Sequence, residues 1–440
     1  MTEPPRATGA HMVAEIIQKA QATPPSAPAP RPNHTRKSDW RHEWHEDHRG
    51  MPIANLANAL HALRCDPALC DLLAFDLMRS AAVLNRPVPS SGDPFALPDD
   101  DFQPRPVCDN DLSQIQEYLQ NAGLRRLGRD TTHQAVEARA NECAFHPVRD
   151  WLEDLTWDGT PRLSSWLHVY LGCNDGLYES QIGTMTILAM VARVFDPGCK
   201  ADYMLVLEGE QGAMKSTVCR ILGGQWFSDN MPPVTSGKEA SLHLRGKWLI
   251  EIAELSAISR AVNEDLKAFI TRPTEMFRPP YGRTEVELPR QCVFIGTTNK
   301  SEYLRDETGG RRYWPVSVGR INPDALQRDR EQLFAEALHL YREGRRWWPS
   351  ADFEREHIKP QQEDRFQGDA WEETIAPWLK GQTRVTVGQV ASQALFIETA
   401  KVTRADQLRI ISCLERLGFT KGKRGTGGIR WYERAGEEHQ

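Results

Sequence analysis

Apolar residues recur at helical spacing early in the chain. Leu56, Ala59, Leu60 and Leu63 fall on one face of a helix, and Leu69, Leu72, Leu73 and Leu77 follow a similar pattern. A second helical pair is expected over about Asp111–Ala122 and Thr131–Glu142. Two more helices are expected over about Ser164–Leu171 and Tyr178–Phe195, the latter strongly apolar. The pattern then changes. From Asp202 to about Val318, short apolar runs alternate with helical stretches, which predicts a parallel α/β sheet. Five strands are expected: Tyr203–Leu207, Trp226–Ser228, Trp248–Ala253, Cys292–Thr297 and Tyr313–Val318. A helix around Leu326–Glu343 closes this core.

The flanking regions read differently. Residues 1–50 are rich in Pro, Ala, His and charge, and the run from Pro24 to Pro32 cannot build a core, so they predict a disordered tail. His42, His45 and His48 read as a solvated segment, not a metal site, because nothing nearby would fix ligand geometry. Asp99, Asp100 and Asp101 lie in a proline-rich break and read as a solvated loop. The expected division is a helical domain over 51–144, a helical lead-in over 145–200, an α/β core over 201–347, a charged linker over 348–370 and a small domain over 371–436.

Composition narrows the class. The 440 residues are 40% hydrophobic and carry a net charge of −6, which is globular and argues against indiscriminate nucleic-acid binding. No apolar run is long enough to span a membrane. The nine cysteines are scattered singly with no C-x-x-C pair, which suggests neither a zinc ribbon nor a disulfide framework and makes a reducing cytoplasm the expected setting.

The chemistry centres on Gly209, Glu210, Gln211, Gly212, Ala213, Met214, Lys215, Ser216 and Thr217, which follow the apolar run Leu205–Leu207. A buried strand, a glycine-bearing turn and Lys-Ser-Thr opening a helix form a phosphate cradle. Backbone N–H groups wrap the phosphates, the lysine reaches the β/γ-phosphates and the hydroxyl ligates Mg²⁺. ATP and Mg²⁺ are the expected cofactors. Met214 stands where glycine usually precedes the lysine. Hydrolysis further needs a metal-side acid, a residue that activates water, a polar γ-phosphate sensor and an arginine. Glu254, at the end of the acidic strand, is the candidate base. Position 253 is alanine where an acid is usual, and Glu251 shares its face. Glu251 reads either as the carboxylate near Mg²⁺ or as a surface residue on an edge strand. Asn299, ending the next apolar strand, is the candidate sensor. Arg311 and Arg312, after Gly309-Gly310, are the candidate arginine finger. Pro280-Tyr281-Gly282-Arg283 predicts a hairpin tip. Arg278, Tyr281 and Arg283 would contact single-stranded DNA there, or the hairpin is structural with solvated charges.

From about Asn141 to Val318 the chain resembles the virulence-associated protein E family of phages and genomic islands. The resemblance rests on His146–Asp150, Trp157–Arg162, Gly209–Thr217, Arg278–Tyr281, Gly296–Asn299 and Asp306–Trp314. That family is similar to superfamily 3 helicases, AAA+ ATPases that form hexameric rings on DNA. The resemblance implies an AAA+ P-loop core, a homo-oligomer that is a hexameric ring, a pore hairpin at Arg278–Arg283 and a role in mobile-element DNA replication. Larger relatives carry a primase module; no primase acids are recognisable here, and no primase activity is expected.

The last domain reads independently as a winged helix. Val387, Val390, Ala391 and Leu395 predict one helix, and Leu408, Ile411, Leu414 and Leu417 a second. The stretch from Gly418 to Tyr432 predicts a two-stranded wing. Lys421, Lys423 and Arg424 make its tip basic, which points to duplex DNA, or the winged helix serves protein contact. The expectation is therefore an ATP-driven DNA helicase or translocase. Two rivals stand beside it: a P-loop switch that loads or remodels a replication partner without unwinding, and a DNA-binding regulator with vestigial ATPase.

Overall fold

Five β-strands run parallel through the middle of the chain; most of their residues are apolar and buried, and each strand is joined to the next by a crossover. The computed structural model describes residues 40–89, 102–255, 260–277, 285–300, 303–304, 312–365, 369–424 and 430–434. The chain divides into two units, one holding most residues up to Asp364 and a smaller one over Glu302–Glu307 and Arg365–Gln440.

The five strands are β5 (Met204–Glu208), β6 (Phe227–Ser228), β7 (Leu249–Ile252), β10 (Val293–Thr298) and β11 (Tyr313–Ser317), in the spatial order β11-β5-β10-β7-β6. All pairings are parallel. The five expected strands are thus present within a residue or two of their expected ends. Helices Leu177–Phe195 and Pro323–Arg342 share the sheet's core with Trp166, Trp248 and Trp314, all nearly inaccessible. Trp151 packs edge-on against Trp248 and Phe334 at 6.0 and 5.5 Å, so that tryptophan is structural.

The hairpin strands are β8 (Thr274–Phe277) and β9 (Val286–Pro289), paired antiparallel from Thr274↔Pro289 to Phe277↔Val286. Its base is pinned. The Arg290 guanidinium donates to Glu275 and to the carbonyls of Phe269 and Ile270, and stacks over Phe269 at 4.6 Å. Ser241 Oγ donates to the other Glu275 oxygen. The expected tip residues Arg278, Tyr281 and Arg283 lie outside the described residues.

Three expectations are corrected. The 51–144 region is not purely helical. Helices Leu56–Cys65, Asp109–Ala122 and Arg129–Glu142 pack with a four-stranded sheet of β1 (Leu73–Asp76), β2 (Ala81–Leu84), β3 (Arg105–Pro106) and β4 (Ala144–Phe145), ordered β3-β2-β1-β4. Within the Leu69–Leu77 run, Leu73–Asp76 becomes strand: Asp76 Oδ1 accepts the N–H groups of Met78 and Arg79, and Ser80 turns at φ +51, folding β1 back on β2. Second, the tail does not reach residue 50. Trp40–Glu43 form a helical turn, Trp44 is buried, and the Asn58 side chain exchanges hydrogen bonds with the His45 backbone. Third, much of 348–370 is not a linker. Helical turns at Ala351–Phe353, Glu354–Ile358 and Lys359–Glu363 bury Ile358 in the sheet's core, and Gln362 donates to the Tyr313 carbonyl.

In the second unit, helices Ala370–Trp378 and Arg404–Arg416 and helical turns over Val387–Ala394 pack on β12 (Arg384–Thr386), β13 (Phe419–Arg424) and β14 (Arg430–Arg434). The sheet is antiparallel and ordered β12-β14-β13, so the expected strand pair gains a third strand.

Candidate functional site

At the carboxyl end of β5 the chain enters the turn Gly209–Met214, and helix Lys215–Gly223 begins directly after it. Two glycines are required by geometry. A Cβ on Gly209 would meet Val318 Cγ2 at 2.7 Å, and Gly212 sits at φ +84. Met214 caps the helix in the left-handed region, at φ +63 and ψ +25. The methionine therefore adopts the conformation that glycine supplies elsewhere, at a cost on the order of 1 kcal/mol.

Lys215 is buried inside this turn. Its Nζ donates to the carbonyls of Gly209 (2.7 Å) and Glu210 (2.8 Å) and to Asn299 Oδ1 (3.0 Å), which uses all three ammonium hydrogens. Burial lowers its pKa from the ordinary lysine value, while the nearby Glu251 carboxylate opposes that shift.

Glu251 decides between the two readings of the acidic strand. β7 lies inside the sheet, between β10 and β6, and Glu251 is 2% exposed. It is not a surface residue on an edge strand. Its Oε1 accepts Ser216 Oγ and Thr297 Oγ1, each at 2.7 Å, and its Oε2 is buried without a hydrogen-bond partner. A buried carboxylate oxygen with nothing to accept suits a cation, because an ion would satisfy it. Ser216 and Glu251 together offer a hydroxyl and a carboxylate on one side of the turn. A short oxygen set of this kind fits Mg²⁺, which keeps several waters and takes its other ligands from phosphate.

Four candidates therefore meet at one sheet edge: Lys215, Ser216, Glu251 and Asn299. Thr297 joins them, and sequence reasoning missed it; the signal was a hydroxyl near the carboxyl end of a mostly apolar strand. Glu254 stands exposed just past β7 at φ +54, a second non-glycine residue held in the left-handed region beside this edge. Arg312 is half-buried, and its Nε has no hydrogen-bond partner among the described residues. Arg311 lies outside the described residues. A separate cleft of about 270 Å³ opens at the hairpin base, lined by Phe75, Met78, His146, Phe277, Leu288 and Gln291.

Residues 152–367 match the family model of the virulence-associated protein E-like domain. The chain carries a virulence-associated protein E-like domain. That span contains the phosphate-type turn, the acidic strand, the hairpin and the asparagine strand. No curated protein matches the chain. Among solved structures, it is similar to the apo C-terminal region of NrS-1. One such structure shares 14% identity, with 82% of this chain and 96% of that chain covered and a TM-score of 0.48. A second, of the A form, shares 12% identity, with 87% and 100% covered and a TM-score of 0.48.

In the second unit, the basic residues divide into two groups. Arg409 pairs with Asp369 and stacks over Trp371 at 3.9 Å, and Arg416 pairs with Glu372 at 3.0 Å, so both hold the fold together. Lys421 is exposed on β13, and Lys423 and Arg424 follow on the same strand. Among the described residues no helix is long and apolar enough to cross a membrane.

Proposed function

We propose that this chain is an ATP-driven DNA helicase or translocase of a phage or other mobile element, acting in its DNA replication. The observation that carries the reading is Glu251, a buried carboxylate with an unsatisfied oxygen, joined through Ser216 to the turn that holds Lys215. In this reading the turn from Gly209 to Thr217 is a P-loop in an AAA+ core. ATP supplies the phosphoanhydride that is cleaved, and Mg²⁺ screens its charge. Lys215 neutralises charge on the β/γ-phosphates. Ser216 and Glu251 hold the metal side, with Glu251 serving where Ala253 replaces the usual acid. Glu254 accepts a proton from the attacking water, and Asn299 orients that water or reads the γ-phosphate. Arg311 or Arg312 completes the site of a neighbouring subunit in a homo-oligomer, a hexameric ring in the family's pattern. Arg278, Tyr281 and Arg283 grip one DNA strand. The second unit is a winged helix whose Lys421, Lys423 and Arg424 hold duplex DNA.

The test is ATP hydrolysis with and without single-stranded DNA, beside strand displacement on a forked substrate, for wild type and Lys215→Ala. DNA-stimulated turnover with strand separation, both lost in the variant, supports the motor. Turnover without separation would favour a loading or remodelling switch. Absence of both, with tight duplex binding, would favour a regulator with vestigial ATPase.

A further inference from the structure

The helix Pro323–Arg342 ends at Gly344, whose φ of +82 lets the Arg345 N–H bond back to the Leu340 carbonyl at 3.0 Å. The chain then leaves the helix as Arg345-Arg346-Trp347-Trp348. A line of aromatic rings runs from the protein body to the surface here. Phe195 meets Tyr341 at 5.8 Å, Tyr341 meets Trp347 at 5.9 Å, and Trp347 meets Trp348 edge-on at 4.8 Å. The Trp347 indole N–H donates to the Lys200 carbonyl at 2.7 Å, which fixes its plane. Trp348 ends the line with 44% of its surface exposed, and the Arg346 guanidinium lies 5.9 Å from its ring centre. Arg342 leans on Glu153 at 3.8 Å. Arg345 reaches only the Gln181 amide oxygen at 3.5 Å, and among the described residues no carboxylate pairs with Arg345 or Arg346. Lys200 precedes β5, so this cluster lies at the strand's amino end, away from the turn that follows Glu208.

We propose that Trp348, Arg345 and Arg346 form a second contact for single-stranded DNA, separate from the hairpin. A rigidly backed, exposed indole offers a face on which a base can stack, and two guanidinium groups with no carboxylate partner among the described residues can follow the phosphates. Duplex bases are already stacked and present no such face. Cations without a carboxylate partner beside a half-exposed ring, in a chain of net charge −6, fit a polyanion with aromatic rings better than an apolar protein surface. The proposal extends the DNA part of the proposed function and uses none of its ATP chemistry.

The experiment is fluorescence anisotropy on the full chain without nucleotide, using labelled oligo-dT and an abasic oligomer of equal length. Trp348→Ala should lower oligo-dT affinity roughly tenfold and leave abasic affinity unchanged, because only stacking is lost. Trp348→Phe should restore most of the difference. Arg345→Ala with Arg346→Ala should weaken both ligands and reduce the salt slope by about 1.4, two phosphate contacts on a single strand. Retention of the full dT-over-abasic preference in Trp348→Ala, or of the full salt slope in the arginine variant, would overturn the proposal. So would a change in self-association, read by light scattering, with DNA binding intact. Strand displacement by the wild type is scored separately: failure there with a Trp348-dependent preference for oligo-dT removes the motor and keeps this surface.

Discussion

Replacing Glu251 by Gln changes one atom's identity and one unit of charge inside a nearly sealed site. In the structure its Oε1 receives two hydroxyl hydrogens at 2.7 Å, from Ser216 and Thr297. Neutralising the acceptor converts two charge-assisted hydrogen bonds into ordinary ones, a loss of about 1 kcal/mol each. The new amide N–H group takes the place of Oε2, which has no partner, and an unsatisfied buried donor costs about 1–3 kcal/mol. Against these stands relief from holding a carboxylate out of water, about several kcal/mol, reduced by the lost attraction to Lys215. The terms nearly cancel, so stability should change by no more than about 2 kcal/mol in either direction. Function should respond very differently. Under the proposed function, the variant has no anionic oxygen to meet Mg²⁺, and ATP turnover should fall on the order of a hundredfold or more. The assay pairs denaturant unfolding with ATP hydrolysis across a Mg²⁺ titration. A variant that hydrolyses ATP at the wild-type rate with the wild-type Mg²⁺ dependence would show that Glu251 does not serve the metal. A variant that fails to fold would show that the carboxylate is structural.

Met214→Gly removes a side chain from a left-handed position, and should raise stability by up to about 1 kcal/mol without lowering hydrolysis, read by denaturant unfolding and turnover; a loss of stability would mean that the methionine packs usefully. Arg290→Ala strands the buried Glu275 carboxylate and should destabilise by about 3–5 kcal/mol, whereas Glu275→Gln with Arg290→Met should recover most of that; equal losses in both would refute the charge argument. Burial holds the His146 pKa below its ordinary 6.5, so the unfolded chain takes up the proton first. Stability supplied by neutral His146 is present above 6.5 and is lost as pH falls through the folded value. Unfolding midpoints should therefore fall more steeply with acid in the wild type than in His146→Gln, and parallel curves would contradict this.

The parallel sheet was legible because its strands are short apolar runs punctuated by the residues that end them. Leu205–Leu207, Leu249–Ile252 and Val293–Ile295 cannot be half-exposed, and strands buried on both faces need crossovers between them. Leu69–Leu77 was not legible for the same reason in reverse. Four leucines at i, i+3, i+4 and i+8 fit a helix face, yet the deciding interactions were the Asp76 side chain on two following N–H groups and the left-handed Ser80. The charged stretch after Trp348 misled through composition, since one buried Ile358 and one Gln362 hydrogen bond tie it to the sheet.

The site divides along a similar line. Local chemistry is written in adjacent residues, so the turn, Lys215 and Ser216 could be placed from the sequence. Glu251 could not be settled, because whether β7 is an edge or an interior strand depends on where β10 inserts. β10 enters the sheet between β5 and β7, although it follows both in the chain. That one insertion puts Glu251 under cover, brings Thr297 to its Oε1 and sets Asn299 against Lys215. Glu251, two residues before Ala253, shares that residue's face and lies within reach of the Ser216 hydroxyl. The hairpin runs straight into the same strand through Arg290, Gln291 and Cys292, with Arg290 held by the buried Glu275. A pull on the hairpin would therefore be delivered to the strand that ends in Asn299, which hydrogen-bonds Lys215 in the turn.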